Sequence, residues 1–140
     1  MQYWLVKSEP SSWSWDDQLA RGDQGEGWDG VRNHQASNNM KAMNIGDLAF
    51  FYHSVNEKQI VGNVEVIELY HPDPSDASGR FGMVTVKAVT SLTRPVTLAE
   101  IKADARLADM ALVKQSRLSV TPVSKMQWEM ILDMGATRLT

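Results

Sequence analysis

Two stretches of alternating side chains, IVGNVEVIEL at 60–69 and FGMVTVKAVTSL at 81–92, constrain the fold more than any other feature of this chain. In the first, Ile60, Val64 and Val66 fall on one face and Asn63 and Glu65 on the other, the period of two that a half-buried strand requires. Between them HPDPSDASGR (71–80), with its prolines and glycine, reads as a surface loop, so the two stretches are expected to pair antiparallel. YWLVK (3–7) reads as a first strand that Pro10 keeps from continuing, and RLSV (117–120) as a short closing strand. LAFFYHS (48–54) is apolar on both faces and therefore belongs in the middle of a sheet.

Helices are announced by their N-terminal signatures. Ser14 with Asp17, Thr97 with Glu100 and Ser124 with Gln127 each match a capping box. Val96/Ile101 and Val123/Trp128 sit where a hydrophobic staple would place them, and Gly135 reads as a C-cap. A further helix is expected from about Asn33 to Met43, after RGDQGEGWDG (21–30), a loop with four glycines. Helices set between antiparallel strands describe an α+β domain in which a closed or half-closed barrel removes the sheet edges.

At 140 residues the chain matches one domain, 1–140, long enough to bury a core without staples. Cysteine is absent, which excludes disulfides, thiolate metal sites and a cysteine nucleophile, and suits a reducing compartment. No apolar run approaches the roughly 18 residues that span a bilayer, and the N-terminus carries no basic leader with an apolar stretch, so a cytoplasmic protein is expected. The net charge of −3 argues against a non-specific duplex binder, which is normally basic, and leaves room for a local site that takes one base or nucleotide.

WDGVRNHQASNNM (28–40) holds the densest chemistry. Gly25, Gly27 and Gly30 free the backbone around Trp28, which either covers the core or is aimed into a cleft. Asn33 can cap the helix, and Arg32 beside that positive helix end offers a fork donor to phosphate. Gln35 and Asn38 supply paired donors and acceptors of the kind that read base edges, or simply an exposed polar face. In FFYHS, Tyr52 shares a face with Phe50 and His53 with Phe51, and both Tyr52 and His53 approach the rim, where a ring can stack on a base. Lys7 and Ser8 follow the first strand, and Ser116 and Arg117 precede the last, so both can line one mouth; a snorkelling Lys7 and an Arg117 paired with an acid are the equal alternatives. Nucleophile elbow, phosphate loop and dinucleotide fingerprint are all missing, His34, His53 and His71 have no metal-ligand spacing, and no cofactor motif is present.

Taken together, YWLVKSEP, WDGVRN, GDLAFFYHS, VGNVEV, HPDP, RPVTL, LADMAL and QSRLSV resemble the EVE domain family over essentially the whole chain. The resemblance implies a PUA-like pseudo-barrel of mainly antiparallel strands with peripheral helices, a fold shared with YTH, ASCH and PUA domains. It also implies a reader of modified bases in DNA or RNA. By that likeness the pocket is lined by Ser8, Trp28, Asn33, Tyr52, His53, Ser116, Arg117 and Leu118. The fused partner domain of many bacterial relatives is not expected here, so the resemblance implies a reader alone or one that meets an effector protein in trans; the oligomeric state is left open, with a monomer favoured. Two other readings stay open at this point: a small enzyme on nucleotides or nucleosides using Lys7, Ser8, Asp29 and His53, and a protein-interaction domain using an exposed Trp15 or the acidic surface.

Overall fold

The structure, a computed structural model, describes residues 1–139. Its strands are β1 (Tyr3–Ser8), β2 (Glu26–Gly27), β3 (Leu48–His53), β4 (Gln59–Pro72), β5 (Gly82–Thr97) and β6 (Val120–Val123). They form one sheet in the order β2-β5-β4-β3-β1-β6, parallel between β1 and β3 and antiparallel elsewhere. The helices are α1 (Trp15–Ala20), α2 (His34–Lys41), α3 (Leu98–Ala103), α4 (Ala111–Lys114) and α5 (Lys125–Met134). All three expected capping boxes are formed, and Gly135 follows α5 as its C-cap.

The long β4–β5 pair is the expected antiparallel ribbon, but it outruns its sequence limits. His71 and Pro72 pair with Met83 and Gly82, which shortens the connecting loop to 73–81. At the other end β5 continues through Pro95 to Thr97. Proline is tolerated there because β2 covers only Thr85 and Val86, leaving that end of β5 without a second neighbour. The closing strand also lies later than RLSV suggests: Leu118 N–H turns back to Gln115 O, and β6 begins at Val120 and includes Pro122, again acceptable on an edge.

Two cores flank the sheet. Alternation along β3 sends Ala49 and Phe51 into one, with Trp4, Val6, Trp28, Met40, Val64 and Val86, and sends Phe50 and Tyr52 into the other, with Leu5, Ile101, Trp128 and Ile131. Ile60 does not share a face with Val64 and Val66 as the simple alternation predicts. The β3–β4 register shifts between Phe51 and Tyr52, an irregularity that turns Ile60 into the second core.

The sheet does not close on itself by hydrogen bonds; β2 and β6 are its ends. Helix α2 occupies the gap, packing on β6 as well as on β4 and β5. Asn39 Nδ2 donates to Val120 O of the edge strand at 2.7 Å, and Ser37 Oγ meets Tyr70 Oη at 2.7 Å. The result is a half-closed barrel plugged by a helix, with the WDGVRN loop leading into the plug.

Candidate functional site

The residues singled out in the sequence divide among three places. Lys7, Ser8 and Trp28 line a cleft of ≈ 340 Å³ together with Ser12, Trp13, Glu26, Gly27 and Asp29. Asn33, Gln35, Ser116, Arg117 and Leu118 line a second cleft of ≈ 350 Å³ with Lys114 and Gln115. The two adjoin: Lys7 Nζ donates to Ser116 O at 2.8 Å, and burial holds the Lys7 ammonium below its usual pKa. Tyr52, His53, Arg32 and Asn38 line neither cleft.

Trp28 plays both parts that its sequence context allows. Only 7% of it is exposed, its ring meets Phe51 edge-on at 5.5 Å, and it belongs to the first core. Its remaining surface bounds the first cleft. The loop delivers it there through β2: Gly27 pairs with Thr85, and Trp28 N–H donates to Val84 O at 2.8 Å. Gly25 makes this approach possible, because at φ +69 a Cβ would sit 2.5 Å from Val86 O.

Trp13 is the residue that sequence reasoning missed. Half-buried, it lines the same cleft as Trp28, with Nε1 donating to Gln18 Oε1 at 2.9 Å, while its carbonyl accepts a hydrogen bond from Ser8 Oγ. The available signal was its position just before the Ser14 cap: an aromatic outside the helix has no helical core face to join. Glu26 and Asp29 add carboxylates to the lining. Glu26 pairs with Arg21 at 3.3 Å, whereas the exposed Asp29 side chain has no partner among the described residues.

Several expectations are corrected. Tyr52 is 4% exposed and sits in the second core, on the face of the sheet away from Trp28. His53 is 8% exposed; its Nε2 accepts the Trp15 backbone N–H at 3.0 Å, so Nδ1 is the protonated nitrogen and donates to Glu57 Oε1 at 2.9 Å. With both nitrogens occupied it is a bracket for α1, free neither for stacking nor for proton transfer. Trp15 is buried, not exposed, and its Nε1 donates to Ser91 Oγ at 2.8 Å.

Arg32 is turned away from both clefts. Nη1 donates to Asp73 Oδ2 at 3.1 Å and Nη2 to Ser75 Oγ at 3.0 Å. Asn33 is the α2 cap, its Oδ1 accepting Ala36 N–H at 2.9 Å, although it also edges the second cleft. Gln35 donates to Gln115 Oε1 at 3.1 Å across that cleft. Arg117 is exposed and pairs with no acid among the described residues.

Comparison with known proteins accords with this architecture. The EVE domain family model matches residues 2–134. A Rhodopseudomonas palustris protein solved by NMR is 57% identical, with a TM-score of 0.92 over 97% of this chain and 94% of that one. Human THYN1, solved in complex with 5-methylcytosine-containing DNA, is 30% identical, with a TM-score of 0.90 over 99% of this chain and 100% of that one. The YTH domain of Zygosaccharomyces rouxii MRB1, 17% identical with a TM-score of 0.58 over 99% of this chain and 88% of that one, shares the fold. On the match of its sequence and the agreement of its fold, this chain belongs to the EVE domain family.

Proposed function

We propose that the first cleft holds a single modified base of a nucleic acid, and that the protein reads this base without turning it over. The carrying observation is the pair of indoles, Trp13 and Trp28, that line one cleft beside carboxylates. Its ≈ 340 Å³ falls at the low end of the roughly 300–1,000 Å³ range of small-molecule sites, a size for one flat heterocycle. Stacking on an aromatic side chain contributes about 1–3 kcal/mol per base, against a cost of a few kcal/mol to extrude it. Asp29, whose carboxylate has no partner among the described residues, suits the exocyclic amine of a cytosine-type base.

The human relative bound to 5-methylcytosine DNA supports DNA as the first partner to test. A methyl group by itself contributes only about 0.8 kcal/mol on burial, roughly fourfold in affinity. Larger selectivity requires the unmodified base to leave a void or an unpaired polar atom. An enzyme reading loses its histidine, because His53 is bound on both nitrogens. The deciding experiment titrates fluorescent single-stranded DNA containing one 5-methylcytosine, 5-hydroxymethylcytosine or cytosine, with matched RNA. Modification-dependent anisotropy that Trp13→Leu or Asp29→Ala weakens, with the oligonucleotide recovered intact, supports the reading. Equal, modification-blind binding in all three proteins overturns it.

A further inference from the structure

The cations of this acidic chain are unevenly neutralised. Of its 14 Lys and Arg residues, Arg21, Arg32, Lys87, Arg94, Arg106, Lys114 and Lys125 have a carboxylate within 4.0 Å. Among the others, Arg117 lines the second cleft, and Lys41 and Arg80 line a third hollow of ≈ 220 Å³ beside Tyr70 and Phe81. All three are exposed and pair with no acid among the described residues. Lys41 Nζ lies 5.4 Å from the Tyr70 ring centroid.

Helix α2 joins these places. Its first turn edges the second cleft through Gln35, and its last residue, Lys41, edges the third hollow. Gln35, Asn38 and Lys41 are exposed at successive spacings of three, so they make one polar stripe on the helix face opposite buried Ala36 and Met40. The Asn38 amide, which has no partner among the described residues, lies midway along it. Six steps of 1.5 Å rise separate Gln35 from Lys41, so the stripe is about 9 Å long, and Arg117 and Arg80 beside its two ends lengthen it.

We propose that this stripe, from Arg117 through Gln35 and Asn38 to Lys41 and Arg80, is the track for the phosphodiester backbone of the DNA strand whose base enters the neighbouring cleft. Amide and guanidinium donors on phosphate position a strand without reading its sequence, and the base cleft supplies the selectivity. The chain thereby confines its nucleic-acid electrostatics to one strip along α2 and beside its two ends while its net charge stays negative. The inference rests on the base-reading proposal.

The test measures DNA affinity at several salt concentrations for the wild-type chain, Lys41→Ala, Arg80→Ala, Arg117→Ala, the triple variant, Arg117→Lys and Trp13→Leu. Each alanine variant is expected to weaken methylated and unmethylated DNA alike. Each should lower the slope of log K against log salt by about 0.7, the single-strand value per phosphate, and the triple variant by about 2. Arg117→Lys should keep the slope, and Trp13→Leu should lose base discrimination with the slope intact. If the triple variant binds DNA with unchanged affinity and slope while Trp13→Leu weakens it, the track is wrong and the base cleft stands. A slope change seen with RNA alone overturns the assignment to DNA, and a wild-type chain that binds no oligonucleotide overturns both proposals.

Discussion

Arg32 reaches Asp73 at 3.1 Å and ties the loop that carries Trp28 to the loop between the two longest strands. Asp73 also accepts from Gly30 N–H at 2.8 Å and from both the N–H and hydroxyl of Ser75, at 2.7 and 2.6 Å. Burial alone would raise its pKa, but these donors together lower it from its usual 3.8 to about 2. A carboxylate depressed on folding adds stability above its unfolded pKa, and that stability is lost as pH falls through the folded value. Asp73 therefore contributes about 2 kcal/mol at neutral pH, fading between about pH 4 and pH 2. Urea denaturation of Asp73→Asn should show a deficit of that order at pH 6 that shrinks toward pH 2; a pH-independent deficit would refute the assignment.

Trp28 and Trp13 line one cleft but should respond differently to substitution. Trp28 is a core residue, so Trp28→Ala should cost about 3–5 kcal/mol of stability and confound any binding assay. Trp13 is half-buried at the edge of the same core. Trp13→Leu keeps an apolar cover and removes the stacking surface, and should lower affinity for a modified-base oligonucleotide by about 1–3 kcal/mol. Melting temperatures and anisotropy titrations on the two variants together separate packing from recognition.

How much of this was legible depends on what kind of interaction each residue makes. Local signals were readable: capping boxes and the alternation on β3 are fixed by neighbours a few residues away. Of the residues singled out as pocket lining, Lys7, Ser8 and Trp28 lie along one cleft and Asn33, Gln35, Ser116, Arg117 and Leu118 along another. Tyr52 and His53 were misplaced because alternation says which residues share a face but not which face meets the opening. Arg32 was misassigned because its acceptor is 41 residues away, in a loop whose sequence gave no hint of a buried carboxylate. Trp13 enters the cleft only through the geometry of the turn before α1, which periodicity does not see.

His53 should behave as a structural bracket. Its Nε2 satisfies the first N–H of α1, a backbone donor that no intrahelical partner reaches. His53→Ala leaves that donor buried and unpaired, at a cost of about 1–3 kcal/mol. Amide hydrogen exchange at Trp15 should accelerate in the variant well beyond the change at Phe51. Unaltered exchange at Trp15 would show that another acceptor serves the helix.

Gly62 and Trp15 are matched in shape. A Cβ on Gly62 would lie 2.3 Å from Trp15 Cζ2, closer than any side chain tolerates without movement. The indole is held on its other sides, by Phe51 edge-on at 5.1 Å and by the Ser91 hydroxyl at 2.8 Å, so it cannot yield without losing one of them. Overpacking of this kind costs about 1–3 kcal/mol, and loss of the indole hydrogen bond adds about 1 kcal/mol. A smaller ring relieves the crowding, so Trp15→Phe should be less damaging in the Gly62→Ala background than in the wild-type chain. A double-mutant cycle by urea denaturation should return a coupling of at least about 1 kcal/mol in that direction. Strictly additive effects would mean that the strand bends away from the new methyl group, and that Gly62 serves the neighbouring strand irregularity more than the tryptophan.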